Sequence, residues 1–203
     1  MLQNFLWTGG KAVKILMLGN SYTYFNDLPG VIAEMTGWQV DSNTRGGARL
    51  VQQLDPADPL GAKTLELLKA HWDYVVLQEY SNGPVVAKAE FLDSAKKLGE
   101  LIRKQGGTSV FYATWAYAEG GAPLKNMNME YGRMCELLEE AYGAAAAAEN
   151  GVLAKVGRAF AERPDRASLY DPDGSHPSKE GTALAAEVII KAIREHAQKR
   201  DGN

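Results

Sequence analysis

The sequence predicts a single α/β domain in which a parallel sheet lies between two layers of helices. Short apolar runs alternate along the chain with longer segments whose apolar residues recur at helical spacing. The short runs are almost continuously apolar, as expected for strands covered on both faces. The chain has 203 residues, which is enough for one domain with its own core, and we expect this domain to span residues 1–203 with a core at about 14–197.

The strands and helices follow one another in the order that this architecture requires. Strands are predicted at residues 14–18, 38–42, 73–77, 109–114 and 152–156, and the second has the weakest pattern. Helices are predicted at residues 28–35, 60–71, 88–105 and 128–148, with a last helix that runs from a cap at Ser178 to about residue 198. Asn26 or Asp27 caps the first of these helices. The alternation predicts a three-layer α/β/α sandwich around a five-stranded parallel sheet.

Several of the loops that follow the strands carry polar residues able to do chemistry. The first loop contains Gly19-Asn20-Ser21, and the last, beyond a short helix, contains Asp173-Gly174-Ser175-His176. Because the carboxyl ends of parallel strands meet at one edge of a sheet, these loops should lie together. The topology therefore predicts that the two ends of the chain meet at one site.

The composition argues against several classes of function. The net charge is −3 at pH 7 without clustering of one sign, which argues against a nucleic-acid partner. No segment is long enough to span a membrane, and residues 1–7 lack the regions of a signal peptide, so we expect a cytoplasmic protein without a membrane partner unless a leader has been removed. The single cysteine, Cys135, fits a helical pattern as a buried hydrophobic residue. Residues with metal-ligand spacing are absent from the sequence, so we expect neither a metal nor an organic cofactor.

Among the three histidines, His176 is the candidate general base. Asp173 lies three residues earlier, a spacing that allows its carboxylate to hydrogen-bond to the imidazole across a tight turn. Asp171 is a second candidate for this orienting acid. His71 and His196 lie in helical patterns, where we expect a structural role for the first and solvent exposure for the second.

Ser21 is the candidate nucleophile. It follows the first strand and a glycine, and a helix begins soon after, so nearby backbone N–H groups can face a developing oxyanion. Ser21, His176 and Asp173 together supply the nucleophile, base and orienting carboxylate of a serine hydrolase. The Gly-x-Ser-x-Gly elbow of α/β-hydrolases is not matched, because Thr23 occupies its last position.

These motifs resemble the blocks of the SGNH (GDSL-like) hydrolase superfamily. Residues 15–23 (ILMLGNSYT) resemble its Ser block, with Asn20 where an aspartate is more familiar. Residues 46–48 (GGA) resemble its Gly block, and residues 173–177 (DGSHP) match its Asp-x-x-His block. Residues 75–82 (VVLQEYSN) depart from the common Gly-x-Asn-Asp form and are closer to the Gln-Gly-Glu-Ser-Asn stretch of carbohydrate acetylesterases in the superfamily. The resemblance implies a flavodoxin-like SGNH hydrolase fold over nearly the whole chain.

The resemblance also implies how an oxyanion would be held during acyl transfer to water. The backbone N–H groups of Ser21 and Gly47 would be two of the donors. The side-chain amide of Asn82 would be the third, and Gln78, at the strand end, is the alternative.

The implied substrate is a small-molecule or carbohydrate ester, and a short acyl group such as O-acetyl is the first expectation. Tyr22, Tyr80 and Trp115 fall in or near the predicted active edge, where aromatic rings can stack on sugars or pack on an acyl chain. They equally suit a rim that only closes the core.

A binding domain without catalytic activity is the alternative reading of the same fold class. A flavodoxin-like domain can hold a phosphate-containing ligand in its first loop, here through Ser21 and Thr23. This loop is poor in Ser, Thr and Gly for that purpose, and the alternative leaves the Asp-x-x-His turn unexplained.

Overall fold

The computed structural model describes residues 13–201, and within them the chain forms a five-stranded, entirely parallel sheet. The spatial order of the strands is β2-β1-β3-β4-β5, and the strands are β1 (Lys14–Gly19), β2 (Gln39–Thr44), β3 (Tyr74–Leu77), β4 (Thr108–Tyr112) and β5 (Val152–Ala154). The expectation that no signal peptide is present rests on residues 1–7. These residues lie outside the described part of the chain.

Helices connect the strands and cover both faces of the sheet. They are α1 (Ser21–Tyr24), α2 (Leu28–Thr36), α3 (Leu50–Gln53), α4 (Pro59–Leu67), α5 (Gly83–Val86), α6 (Lys88–Lys104), α7 (Ala122–Asn126), α8 (Tyr131–Ala148), α9 (Val156–Glu162) and α10 (Lys179–Asp201). Short 3₁₀ turns occupy Phe25–Asp27 and Arg166–Leu169. None of the helices within residues 13–201 combines the length and the apolar character that crossing a membrane requires.

The core lies in two clusters, one on each face of the sheet. Successive side chains of a strand point to opposite faces, so Leu16 and Leu18 enter one cluster while Ile15 and Met17 enter the other. Helices α6 and α8 cover the first cluster, and α2, α9 and α10 cover the second. This arrangement is the predicted three-layer α/β/α sandwich.

The prediction of doubly buried strands is wrong for β2. This strand lies at the edge of the sheet, and Gln39, Asp41 and Ser42 are exposed to solvent. An edge strand is paired on one side only, so polar residues are tolerated there and also discourage pairing with another chain.

Two predicted helices are shorter than expected, each for a local reason. The helix predicted at 60–71 ends at Leu67, because the chain then tightens into turns in which Lys69 N–H donates to Glu66 C=O and Ala70 N–H to Leu67 C=O. The helix predicted at 128–148 begins at Tyr131, because Asn128 has a left-handed φ of 49° that interrupts it.

The strand order reverses between β1 and β3. The chain leaves β1 toward β2 at one edge and then crosses back to β3 on the other side of β1. In open α/β sheets, ligands bind in the crevice at the carboxyl ends of the strands where this reversal occurs. The loops that start at Asn20 and Gln78 flank this point.

Candidate active site

A cavity of about 320 Å³ opens at the carboxyl edge of the sheet. It is formed by the loops that follow the strands. Its lining residues are Asn20, Ser21, Tyr22, Gly47, Tyr80, Ser81, Tyr117, Pro123, Ser175 and His176. The expectation that the first and last loops meet is therefore met in the structure.

Ser21 is the first residue of α1, directly after β1. Asn20 caps this helix, since its Oδ1 accepts a hydrogen bond from Tyr22 N–H at 3.1 Å. Ser21 Oγ lies 2.9 Å from His176 Nε2. The short turn of helix therefore presents the serine hydroxyl to the imidazole across a sequence separation of 155 residues.

His176 is held by Asp173 through a compact turn. Gly174 has a φ of 68°, which allows the chain to fold back, and Asp173 Oδ1 accepts hydrogen bonds from the N–H groups of Ser175 (2.8 Å) and His176 (2.9 Å). Asp173 Oδ2 lies 2.5 Å from His176 Nδ1. When Nδ1 carries the proton and donates to this carboxylate, Nε2 is left to accept the Ser21 hydroxyl proton.

The electrostatics of Asp173 suit an orienting carboxylate. Partial burial acts to raise its pKa, but hydrogen bonds from the His176 ring and from two backbone N–H groups outweigh burial, so the pKa lies below its ordinary value. Asp171, the other candidate, contacts His176 through the backbone, where its N–H donates to His176 C=O at 2.9 Å. Of the two acids, the carboxylate of Asp173 is the one placed on the imidazole.

The imidazole is flanked by aromatic rings. The Phe25 ring lies 4.8 Å from the His176 ring, and Tyr22 meets it edge-on at 5.7 Å. Tyr22 is nearly buried, lines the cavity and pairs its hydroxyl with Ser175 Oγ at 2.7 Å. Tyr80 also lines the cavity but keeps 38% of its surface exposed, so its ring is available to a ligand.

The expectation that Trp115 binds substrate is wrong. Its side chain has no exposed surface, and it lies stacked between Tyr22 at 4.8 Å and Phe160 at 4.2 Å. Its indole N–H donates to Ser175 C=O at 3.0 Å. Trp115 is therefore a buried support for the loop that carries His176, and it does not contact a ligand.

Gly47 lies at the rim of the cavity with a φ of 68°, a backbone conformation that favours glycine. The N–H groups of Ser21 and Gly47 make no hydrogen bond to another residue in the described part of the chain. Asn20 Nδ2 donates to Ala48 C=O at 2.9 Å, which ties the Ser21 loop to the Gly47 loop. Two free backbone donors thus lie in the walls of the cavity that contains the serine.

The two side-chain amides expected as alternative oxyanion donors both contact other residues in the structure. Asn82 does not line the cavity, and its amide nitrogen lies 3.7 Å from Met127 Sδ. Gln78 is fully buried beneath the site, where its Oε1 accepts from Asn20 N–H and from the Thr23 hydroxyl, each at 2.9 Å. Its Nε2 donates to Glu79 C=O. The prediction for Gln78 is wrong, because this side chain is buried and instead fixes the position of the Ser21 loop. The role of Asn82 stays a prediction.

Glu79 extends this support to the Gly47 loop. Its carboxylate is buried and accepts hydrogen bonds from Tyr80 N–H at 2.7 Å and from Leu50 N–H at 3.1 Å. Burial raises its pKa, although these two backbone hydrogen bonds and the Arg49 charge oppose the rise. The two residues that directly follow β3 therefore hold the loops on either side of the cavity.

Ser81, which the sequence did not single out, pairs in the cavity wall with Tyr117, an aromatic residue expected near the active edge. Ser81 Oγ and the Tyr117 hydroxyl lie 2.7 Å apart, and both residues are only 7% exposed while lining the cavity. Ser81 escaped notice because the adjacent Asn82 matched the expected block. Its position just beyond β3, at the same sheet edge as Ser21, was the available signal.

The remaining titratable residues of interest lie elsewhere. His71 contacts Gln105 C=O and Asp73, and His196, expected to be solvent-exposed, is half-buried with Nδ1 3.2 Å from the Tyr74 hydroxyl. Cys135 is half-buried against the core, and burial raises its pKa. Within residues 13–201, no cluster of three or more His, Cys, Asp or Glu side chains is placed to hold a metal ion.

Comparison with known proteins agrees with this architecture. No protein-family model and no curated protein matches the chain. Among solved structures, a Slackia heliotrinireducens protein described as a candidate SGNH hydrolase is similar, with 39% identity and a TM-score of 0.86 over 90% of this chain and 100% of that chain.

More distant structures share the fold. A DUF4886 family protein from Bacteroides uniformis has 19% identity and a TM-score of 0.68 over 90% of this chain and 83% of that chain. A lipase/acylhydrolase from Enterococcus faecalis has 17% identity and a TM-score of 0.63 over 91% of this chain and 97% of that chain. With the similarity to the Slackia protein over its whole length, these findings show that the chain belongs to the SGNH (GDSL-like) hydrolase superfamily and is a hydrolase by family.

Proposed function

We propose that this protein is a serine esterase that hydrolyses short-chain acyl esters, with O-acetyl groups on carbohydrates as the first substrates to test. The observation that carries the proposal is the chain of hydrogen bonds from Ser21 Oγ through His176 to Asp173. Its Ser21 end lies in the wall of an open cavity. Nucleophile, base and orienting acid in this order are the parts of acyl-transfer catalysis.

In the proposed mechanism, Ser21 Oγ attacks the ester carbonyl carbon while His176 Nε2 takes the hydroxyl proton. Asp173 keeps the imidazole in the required tautomer and stabilises its charged form. The tetrahedral intermediate collapses as His176 returns the proton to the departing alcohol, which leaves an acyl-serine. Water then attacks this ester with His176 again as the base, and the carboxylic acid leaves as Ser21 regains its proton.

The negative charge on the carbonyl oxygen would be stabilised by the N–H groups of Ser21 and Gly47. Donors that are fixed before the reaction stabilise a transition state without the cost of reorienting solvent. The Asn20 contact to Ala48 and the Gln78 contact to Asn20 N–H supply this rigidity, because they join the two loops that carry the donors.

The cavity wall supports a small, polar substrate. The hydroxyls of Tyr22, Ser81, Tyr117 and Ser175 belong to residues that line it, and they can bond to the oxygens of a short acyl group or of a sugar. The half-exposed Tyr80 ring is the surface on which a sugar ring would stack. No specific observation favours the phosphate-binding alternative, in which the contact between His176 and Ser21 Oγ would have no purpose.

The test is hydrolysis of 4-nitrophenyl acetate and of an acetylated xylose by the wild type, Ser21→Ala and His176→Ala. We expect turnover by the wild type and a loss of several orders of magnitude in each variant, with unchanged thermal unfolding. The variants Ser42→Ala and His71→Ala, which lie outside the cavity, serve as matched controls and should retain wild-type rates. Turnover that survives in Ser21→Ala would overturn the proposal.

A further inference from the structure

We propose that the Ser81 hydroxyl is the third oxyanion donor of this site and that Tyr117 is the positioning residue that holds it. The inference rests on the proposed esterase function. Ser81 would supply the side-chain donor that was expected from Asn82 or Gln78, whose amide nitrogens contact Met127 and Glu79 instead.

Ser81 lies in the wall of the cavity that contains the nucleophile. Ser81 lines the same cavity as Ser21 and Gly47, and it follows β3, the strand that is paired with the one preceding Ser21. Only 7% of its surface is exposed, so its hydroxyl lies in a sheltered wall where a hydrogen bond to a developing negative charge is strong. Asn82, the next residue, is outside this wall.

Of the two hydroxyl protons in the Ser81–Tyr117 pair, the one on Ser81 is free to donate to a ligand. In the Ser81–Tyr117 pair, separated by 2.7 Å, one hydroxyl donates and the other keeps its proton for a third partner. A phenol is more acidic than an alcohol and is the better donor, so Tyr117 donates to Ser81 Oγ. Ser81 then retains its own proton, and the bond it accepts makes it a stronger donor in turn.

No neighbouring group depends on the Ser81 hydroxyl proton as its single hydrogen-bond partner in the described part of the chain. Ser81 also approaches the Tyr22 hydroxyl, where its proximity acts to lower the pKa of Tyr22, against the larger rise from burial. Tyr22 already has a partner, since its hydroxyl lies 2.7 Å from Ser175 Oγ. The Ser81 O–H can therefore turn from Tyr22 to a carbonyl oxygen without leaving a buried group unpaired.

The contribution would be specific to the transition state. A neutral carbonyl oxygen is a weak acceptor, and the oxyanion is a strong one, so the Ser81 bond strengthens as the charge forms. Removing such a donor is expected to lower kcat by about 100-fold while KM changes little.

The experiment compares steady-state hydrolysis of 4-nitrophenyl acetate by the wild type, Ser81→Ala, Ser81→Thr and Asn82→Ala, with Ser21→Ala as the inactive reference. We expect Ser81→Ala to lose about 100-fold in kcat, Ser81→Thr to recover most of it, and Asn82→Ala to match the wild type. Thermal melting of each variant, with rates measured well below the midpoint, separates loss of catalysis from loss of fold.

Tyr117→Phe tests the positioning role. We expect a smaller loss in kcat than in Ser81→Ala, and we expect Ser81→Ala/Tyr117→Phe to be no slower than Ser81→Ala alone, because Tyr117 acts through Ser81. Losses that multiply in the double variant would contradict this role. A wild-type kcat in Ser81→Ala, or a large loss in Asn82→Ala, would overturn the assignment of Ser81 while leaving the esterase proposal intact. An inactive wild type, or an active Ser21→Ala, would instead remove the proposed function itself.

Discussion

The substitution Gln78→Met tests whether the buried amide beneath the site positions the catalytic loop. Methionine keeps the unbranched shape and a similar volume, but it removes both polar atoms. Three groups then lose their partners: Asn20 N–H, the Thr23 hydroxyl and Glu79 C=O. Because Gln78 has no exposed surface, water cannot readily replace these bonds.

The expected magnitude follows from these contacts. Each unpaired buried group costs about 1–2 kcal/mol, which gives about 3–6 kcal/mol for three. Burial of the more apolar thioether offsets about 1–2 kcal/mol of this. We therefore expect the free energy of unfolding in urea to fall by about 1–5 kcal/mol. We expect kcat to fall as well, because the Ser21 loop loses its anchor.

The matched control is Gln105→Met, which makes the same change away from the cavity. Gln105 Oε1 accepts a hydrogen bond from Trp72 N–H at 2.7 Å, so this variant should also lose stability. It should retain the wild-type kcat, since Gln105 does not line the cavity. Equal kcat values in the two folded variants would refute the positioning role of Gln78.

Further predictions concern the turn that carries His176. Asp173→Asn should lower kcat by about 10²–10⁴-fold because the amide no longer favours the required tautomer, whereas Asp171→Asn should leave the rate near that of the wild type; equal losses in both would contradict the geometry. Because the pKa of Asp173 is lower in the folded state, its ionised form stabilises the fold at pH values above its ordinary range. The difference in unfolding free energy between the wild type and Asp173→Asn should therefore shrink as the pH falls from about 3.8 through the folded pKa of Asp173, which lies below that value. Urea titrations from pH 7 to pH 3 in which this difference stays constant would contradict the prediction. Trp115→Phe removes the bond to Ser175 C=O and part of a stacked core, so we expect about 1–3 kcal/mol lower stability and a reduced kcat; an unchanged rate in the folded variant would show that the loop does not depend on Trp115.

Much of the fold follows from the sequence because its strands and long helices are defined by local patterns. The apolar run in β1 and the leucine spacing in α4 predict those elements without knowledge of the rest of the chain. The meeting of Ser21 and His176 also follows, since parallel strands end at a common edge.

Side-chain directions in the loops could not be predicted in the same way. Asn82 lies at the N-cap of α5, a helix of four residues whose formation depends on tertiary packing instead of propensity. That turn directs the Asn82 amide to Met127 and leaves Ser81 in the cavity wall. Trp115 follows β4, as predicted, but Phe160 of α9 supplies a stacking partner that no local pattern reveals.

Covalent labelling shows whether the Ser21 hydroxyl is an activated nucleophile. Intact mass would be measured after incubation with a fluorophosphonate, on the wild type and on Ser21→Ala. We expect one adduct on the wild type and none on the variant, because the hydrogen bond to His176 activates the Ser21 hydroxyl. An adduct on Ser21→Ala, or no adduct on the wild type, would contradict the assignment of Ser21 as the activated nucleophile.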